Sequence, residues 1–194
     1  MIPVPNPIPE PAGFDENCRQ KGLTWLASNP NCDRPKDFWS PFRQALANGF
    51  SGRCGYSAMW SSSGTVDHFV SVNADKALAF EWSNYRFVEG WINSSKNKCN
   101  HQDILDPFVV GSGWFEILLP SLQMVTTDAI PPAYMQQAEN TLIRLHLRDD
   151  ERILRQRRAW YGLYQSGKLT LDGLRDLAPL IAAAVEKSAT GTQS

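Results

Sequence analysis

The sequence lacks the features of a membrane or exported protein. Its longest apolar stretch, residues 177–185, falls far short of the roughly 20 residues that span a bilayer, and Pro179 interrupts it. The first eleven residues have no basic start and no apolar run, so we expect no signal peptide. The four cysteines are irregularly spaced and form no C-x-x-C pair, which argues against a disulfide scaffold. We therefore expect a cytoplasmic protein with reduced thiols.

An excess of positive charge is also missing. The chain has nineteen Lys and Arg residues and twenty Asp and Glu residues, for a net charge of −1. A polyanion could therefore bind only at a local cluster of basic residues. Large apolar side chains are plentiful, with seven Trp and nine Phe among 194 residues and 42% hydrophobic residues overall. That composition excludes wholesale disorder and predicts a real core.

Three regions differ in pattern. Prolines at every second position predict an extended, polyproline-like arm over residues 1–13, either solvated or docked on a partner. Residues 14–130 are predicted to form the core, with a helix that begins near Asp33 and Pro35 and ends at Gly49. Residues 131–194 are predicted to be helical, over 133–164 and 170–187, with Pro179 kinking or dividing the second helix.

The middle of the chain carries a strand pattern. Apolar and polar residues alternate over 65–70 and 85–88, which predicts two short strands joined by a loop, and residues 91–98 fit a short helix. Residues 108–117 predict a hairpin that turns at residues 111–113, Gly-Ser-Gly. Helical stripes flank this middle region, so the predicted fold class is α+β.

Among the three histidines, His68 is the candidate for chemistry, while His101 in a loop is interpreted as an ordinary surface residue and His146 on a helix as structural. A histidine near its ordinary pKa can act as a general base. Asp67 and Asn93 offer hard oxygen ligands that suit Mg²⁺ or Mn²⁺. Neighbouring strand residues point to opposite faces, so Asp67 and His68 can share one cation only where the strand twists or ends.

The runs at residues 66–69, 81–87 and 91–96 resemble the HNH endonucleases, which are built on a β-β-α-metal finger, in the form D-H…N…N-x-x-K. Residues 104–108, 113–115 and 177–180 are similar to a bacterial phage-defence subgroup. That subgroup includes the small nuclease subunits of Septu-type and some retron systems, which act beside an ABC-type ATPase.

The resemblance implies a small β-hairpin and helix at residues 64–98, embedded in flanking helices, that hydrolyses phosphodiester bonds in nucleic acid, with DNA as the first expectation and RNA as the alternative. It implies that His68 is the general base, that Asn84 positions it, and that Asp67 and Asn93 hold the divalent cation. Lys96 and Lys98 would contact phosphate. It also implies an ATPase as the protein partner and no membrane.

The sequence departs from the family at its zinc-binding pairs. Residues 54–57 and 89–92 stand where C-x-x-C pairs would be, and only Cys54 remains, so no structural zinc is expected. A zinc regulator built on Cys54, Cys99 and His101 lacks paired ligand spacing. The alternative to a nuclease is a non-catalytic binding or adaptor subunit that keeps the finger as a scaffold.

The basic side chains concentrate in one later segment. Six arginines lie between residues 144 and 158, interleaved with acidic residues. The pattern fits a solvated, salt-bridged helix, and the alternative is a phosphate-facing or docking surface.

Overall fold

Two short antiparallel hairpins set among helices make this an α+β protein, as the sequence predicts, within residues 1–96 and 99–191, which the computed structural model describes. The strands are β1 (Gly64–His68), β2 (Tyr85–Glu89), β3 (Phe115–Leu118) and β4 (Gln123–Thr126). A π-helical turn, Asp15–Gln20, leads into the helices α1 (Lys21–Ser28), α2 (Arg43–Gly49), α3 (Gly90–Lys96), α4 (Pro132–Arg144), α5 (Glu151–Gln165), α6 (Leu171–Leu177) and α7 (Pro179–Gly191). In these residues no helix is both long and apolar enough to cross a bilayer.

The unit β1-β2-α3 confirms the strand pattern in the middle of the chain. The two strands pair antiparallel, with Asp67 opposite Arg86 and His68 opposite Tyr85, and α3 packs on both of them. β1 begins at Gly64, where a larger residue would clash with the Phe87 ring: a Cβ atom at this position would lie 2.2 Å from Phe87 Cζ. The predicted first strand continued to residue 70, whereas β1 ends at His68, where the chain turns away from the sheet.

Two clusters of buried side chains meet at this unit. An aromatic cluster contains Phe14, Trp39, Phe80, Trp82, Tyr85 and Phe87. A larger, mainly aliphatic cluster contains Val88 and Ile92 together with side chains from β3, β4 and the four later helices. Successive residues of β2 therefore contribute to different clusters, and the hairpin is held from both sides by apolar packing.

The proline-rich arm is anchored to the rest of the chain at a few buried residues. Residues 1–13 form neither helix nor strand, yet the side chains of Met1 and Ile8 are buried in the two clusters. Trp82 Nε1 donates a 3.0 Å hydrogen bond to Ile8 O, and Glu10 pairs with Arg19. The arm docks on its own chain, so we expect its removal to destabilise the fold.

The helix before β1 begins later than predicted. Asp37, not Asp33, starts it: Asp37 Oδ1 accepts hydrogen bonds from the backbone N–H groups of Trp39 and Ser40. A 3₁₀ turn, Ser40–Phe42, then leads into α2. The prediction at Asp33 was wrong because Asp37, the next acidic residue, accepts from the backbone of the turn before the helix, and Asp33 accepts no such bond within the described residues. Residues 33–36 are consequently irregular.

The later hairpin turns at residues 119–122 rather than at the predicted glycines 111–113. Asp106 accepts from Phe108 N at 3.0 Å and starts a 3₁₀ turn, Pro107–Val109, where a strand was expected. Gly111 instead allows the Trp114 ring to pack against the backbone, since a Cβ at residue 111 would lie 2.4 Å from the Trp114 indole nitrogen.

The C-terminal region is helical, with one more break than predicted. The helix expected over 133–164 is divided at residues 145–150, where His146 has a positive φ of 55° and Asp150 caps α5 by accepting from Arg152 N. The division at Pro179 is confirmed, since α6 ends at Leu177 and α7 begins at Pro179.

Candidate functional site

A cavity of about 280 Å³ opens beside the end of β1. It is bounded by the irregular segment before α2, by β1, by the loop that follows β1 and by α3. The polar and aromatic side chains that line it are Arg34, Trp39, His68, Ser71, Asn73 and Asn93. The structure therefore brings two of the predicted site residues, His68 and Asn93, to one cavity.

The His68 imidazole is held in a fixed orientation. Its ring packs edge-on against Trp39 (4.6 Å between centroids) and Tyr85 (5.0 Å). Nε2 lies 3.0 Å from Ala79 O, which also accepts from the Tyr85 hydroxyl at 2.6 Å. Since a carbonyl oxygen can only accept, Nε2 carries the hydrogen, and the neutral ring has its lone pair on Nδ1.

That lone pair is available. In residues 1–96 and 99–191, Nδ1 has no hydrogen-bond partner, and it is not among the buried unpartnered polar atoms, so it is open to solvent. Burial of the ring lowers the pKa of His68 to about 4, the bond to Ala79 opposes this, and the charges of Lys96 and Arg34 lower the pKa further. At neutral pH the imidazole is therefore neutral and able to accept a proton.

Asn93 presents an oxygen to the same cavity. Its Nδ2 donates to Thr65 Oγ1 at 3.1 Å and lies 3.4 Å from Val66 O. The amide orientation follows from the partners: Thr65 Oγ1 already donates to Val88 O, so it must accept from Asn93. The Oδ1 atom has no partner in the described part of the chain and is not buried. It can accept a hydrogen bond or bind a cation.

Asp67 lies on the opposite face of β1. Its side chain is 1% exposed, and Oδ1 accepts from Lys96 Nζ at 3.1 Å. Burial raises the pKa of Asp67, and the Lys96 charge opposes that rise. The structure thus does not bring Asp67 to the cavity of His68 and Asn93, because neighbouring strand residues point to opposite faces.

Lys96 is a buried ion-pair partner. Besides Asp67, its Nζ donates to His68 O at 2.9 Å and to Phe69 O at 3.0 Å, so all three ammonium hydrogens are used. Its side chain is 5% exposed, so the structure does not present this ammonium to a phosphate group, and the predicted phosphate contact stays a prediction. The corresponding prediction for Lys98 lies outside the described residues.

Asn84 positions the backbone around the imidazole without touching the ring. Its Oδ1 accepts from Val70 N at 2.8 Å, and its Nδ2 donates to Val70 O and to Leu78 O, both at 3.0 Å. One side chain thereby joins the two ends of the loop between β1 and β2. Because Ala79 follows Leu78, Asn84 helps to place the carbonyl that orients His68.

Arg34 is a site residue that the sequence did not reveal. It is exposed and lines the cavity, and it makes no ion pair or hydrogen bond within the described residues. It lies in the irregular segment more than thirty residues before His68 and belongs to no motif. Only the tertiary placement of residues 33–36 brings it to the cavity.

The arginine cluster on the later helices is mostly paired. Four of its members form ion pairs: Arg144 with Asp103, Arg148 with Glu139, Arg152 with Asp150 and Arg158 with Glu151. Arg157 is buried and donates to the carbonyls of Leu122, Leu147 and Arg148. Arg155 is exposed and unpaired in the described part of the chain. The cluster fits the salt-bridged interpretation rather than a phosphate-facing surface.

The residues of the cavity fit a divalent cation in part. Asn93 Oδ1 is a hard, accessible donor of the kind that Mg²⁺ prefers, whereas Asp67 is held by Lys96. No group of three or more His, Cys, Asp or Glu side chains is clustered for a metal within residues 1–96 and 99–191. A cation here would need oxygens from the substrate, as magnesium sites on phosphate substrates commonly do.

Comparison with families of known proteins, with curated proteins and with solved structures gives no match to this chain.

Proposed function

We propose that this protein is an HNH-type endonuclease that hydrolyses phosphodiester bonds in nucleic acid, with His68 as the general base. The observation that carries the proposal is the fixed, neutral imidazole of His68, whose Nδ1 is accessible in a cavity that also contains Asn93 Oδ1. The order strand, strand, helix in β1-β2-α3 supports the same proposal, because it is the order of the finger that the sequence resembles.

The chemistry follows from the His68 geometry. Nδ1 takes a proton from water as the water oxygen attacks phosphorus, and the bond from phosphorus to the leaving oxygen breaks. The imidazolium that forms keeps its Nε2–H bond to Ala79 O, an acceptor that stabilises the positive ring. The leaving oxygen then takes a proton from solvent or from the imidazolium.

The low pKa of His68 describes the protein without bound substrate. A pKa of about 4 ensures the base form at neutral pH but makes a weak base. A phosphate group in the cavity brings negative charge close to the ring and raises the pKa of His68. Substrate binding thus strengthens the base when it is needed. Mg²⁺ or Mn²⁺, held by Asn93 and substrate oxygens, would neutralise the charge that develops on the phosphate.

The proposal also includes a substrate and a protein partner. DNA is the expected substrate, and the expected partner is an ABC-type ATPase in a bacterial anti-phage complex. The paired state of the arginine cluster supports a need for a partner, since four of its six arginines already bind carboxylates and offer a polyanion little free charge. We therefore expect weak cleavage by the isolated chain and faster cleavage when the ATPase is added.

A nuclease assay with a matched pair of variants tests the proposal. Supercoiled plasmid and tRNA are incubated with the protein and Mg²⁺, Mn²⁺ or a chelator. His68→Gln keeps an amide that can donate to Ala79 O but has no base, so cleavage should fall about 100-fold or more. His101→Gln changes a histidine outside the cavity and should leave cleavage unchanged. Equal cleavage by His68→Gln and wild type would contradict the assignment.

A second candidate is a non-catalytic nucleic-acid-binding or adaptor subunit. The burial of Asp67 against Lys96 favours it, because the carboxylate that the resemblance assigns to the cation is engaged elsewhere. The same assay separates the two candidates. An adaptor would bind plasmid DNA in a shift assay and cleave neither substrate with any cation, with or without the partner.

A further inference from the structure

The cavity beside His68 contains an unused positive charge. Arg34 is exposed, and its guanidinium makes no hydrogen bond or ion pair with any described residue. Most arginines of this chain are engaged: of the twelve, all but Arg34 and Arg155 bond to a carboxylate or a backbone carbonyl within the described residues. Arg155 lies on α5 and is not among the residues that line this cavity. Arg34 is thus distinguished by being both unpaired and at the cavity.

Neither acidic residue close to Arg34 in sequence pairs with it. Asp33 makes no hydrogen bond or ion pair within the described residues. Asp37 accepts from the backbone of Trp39 and Ser40 with one carboxylate oxygen and from the Ser40 hydroxyl with the other. The guanidinium therefore keeps its donors for something outside the chain. Its charge is close enough to His68 to lower the pKa of that imidazole.

A hydroxyl donor lies at the same cavity. Ser71 Oγ accepts from Asn73 N at 3.2 Å and donates to no described residue, so its hydrogen is free for a further acceptor. A guanidinium and a hydroxyl can bind two oxygens of one tetrahedral anion, and guanidinium matches phosphate geometry in a bidentate manner. The cavity thus contains donors for an anion and a base, Nδ1 of His68, beside them.

We propose that Arg34, assisted by Ser71, binds the non-bridging oxygens of the substrate phosphate and holds it against Nδ1 of His68. The inference rests on the proposed function for the identity of the substrate but not for the anion site itself. Guanidinium contacts to phosphate also strengthen as charge develops during phosphoryl transfer, so Arg34 should contribute to rate as well as to binding.

Phosphate binding to the full chain tests the anion site without any cleavage. Inorganic phosphate is titrated while the backbone amides of residues 71–73 are followed by NMR. The wild type should show saturable shifts there. Arg34→Met, which keeps an apolar stem, should bind about tenfold more weakly or worse, and Arg34→Lys should fall between them. Arg155→Met removes an equally exposed, unpaired arginine and should bind phosphate like the wild type.

The outcomes separate this inference from the proposed function. Saturable binding that depends on Arg34, in a protein that cleaves neither plasmid nor tRNA, supports the anion site and contradicts the nuclease. Cleavage by the wild type together with unchanged phosphate affinity and kcat/KM in Arg34→Met overturns the anion site and leaves the nuclease intact. Absence of saturable phosphate binding to the wild type also overturns the anion site. Because Arg34 is exposed and unpaired, its variants should melt at the wild-type temperature.

Discussion

The two faces of β1 place neighbouring titratable residues in opposite situations. On one face His68 lines an open cavity, keeps one ring nitrogen accessible and has no carboxylate partner. On the other face Asp67 is almost fully buried and pairs with the Lys96 ammonium. The pKa of His68 is lowered and the pKa of Asp67 is raised, in both cases chiefly because burial disfavours the charged form. One strand thus carries a site on one side and a structural ion pair on the other.

Two residues that are adjacent in a motif need not belong to the same site. Asp67 and His68 are adjacent in sequence, but strand alternation separates their side chains. Lys96 connects the two faces instead, since it pairs with Asp67 through its side chain and also bonds to the backbone carbonyls of His68 and Phe69. In this structure the Asp67 carboxylate is linked to the backbone at the end of β1 only through the Lys96 ammonium.

The largest expected effect comes from breaking the ion pair. Lys96→Met would leave the Asp67 carboxylate buried without a cation, which typically costs about 3–5 kcal/mol. For a chain of this size the melting temperature should fall by about 10 °C or more, as followed by circular dichroism. The double variant Asp67→Asn with Lys96→Met should recover part of that loss. A loss below about 1 kcal/mol in Lys96→Met would contradict the structural role of this face.

Asn84→Ala should come next in size. It removes three hydrogen bonds and leaves the Val70 and Leu78 backbone groups without partners, at about 2–3 kcal/mol. Urea unfolding measures the loss. Because the loop also places Ala79, this variant should weaken cleavage, whereas Asn31→Ala removes an exposed asparagine whose side chain bonds to no described residue and serves as the control. Wild-type stability in Asn84→Ala would mean that the loop is held by other contacts.

His68→Ala should destabilise the protein more than His68→Gln. Alanine leaves a gap between Trp39 and Tyr85 and removes a donor to Ala79 O, for about 2 kcal/mol, while glutamine keeps bulk and a donor. A histidine that served only as a base could be replaced without a change in melting temperature, whereas the packing of this ring predicts a loss. Thermal melts of the two variants side by side decide it, and equal stability would show that the ring is loosely held.

The pH dependence of stability should show the smallest of these effects. The pKa of His68 is about 4 in the folded protein against an ordinary value of 6.5, so between these values the unfolded chain binds more protons. Stability is therefore lost as pH falls through this window. The wild type should lose about 1–2 kcal/mol between about pH 7 and pH 5 that His68→Gln, which does not titrate, retains. Parallel pH profiles for the two proteins would contradict the low pKa.

Much of the hairpin could be predicted from sequence, and the cavity only in part. Alternation over 65–68 and 85–88 specifies strands, and it also specifies that Asp67 and His68 diverge. The pairing of Lys96 with Asp67 and the position of Arg34 at the cavity depend on how segments distant in sequence pack together. No local sequence pattern encodes that packing. The hairpin turn at 119–122 was missed because Leu122 adopts a positive φ of 57° with no glycine or asparagine to signal it.

The central claim is that His68 is neutral, hydrogen-bonded through Nε2 and free at Nδ1. Nitrogen NMR of the histidine side chains in the full-length protein tests it directly, with His68→Gln used to assign the signals. We expect that His68 at neutral pH has its hydrogen on Nε2 and an unprotonated Nδ1, and that it titrates with a pKa of about 4. A hydrogen on Nδ1, or titration near the ordinary pKa of 6.5, would contradict it.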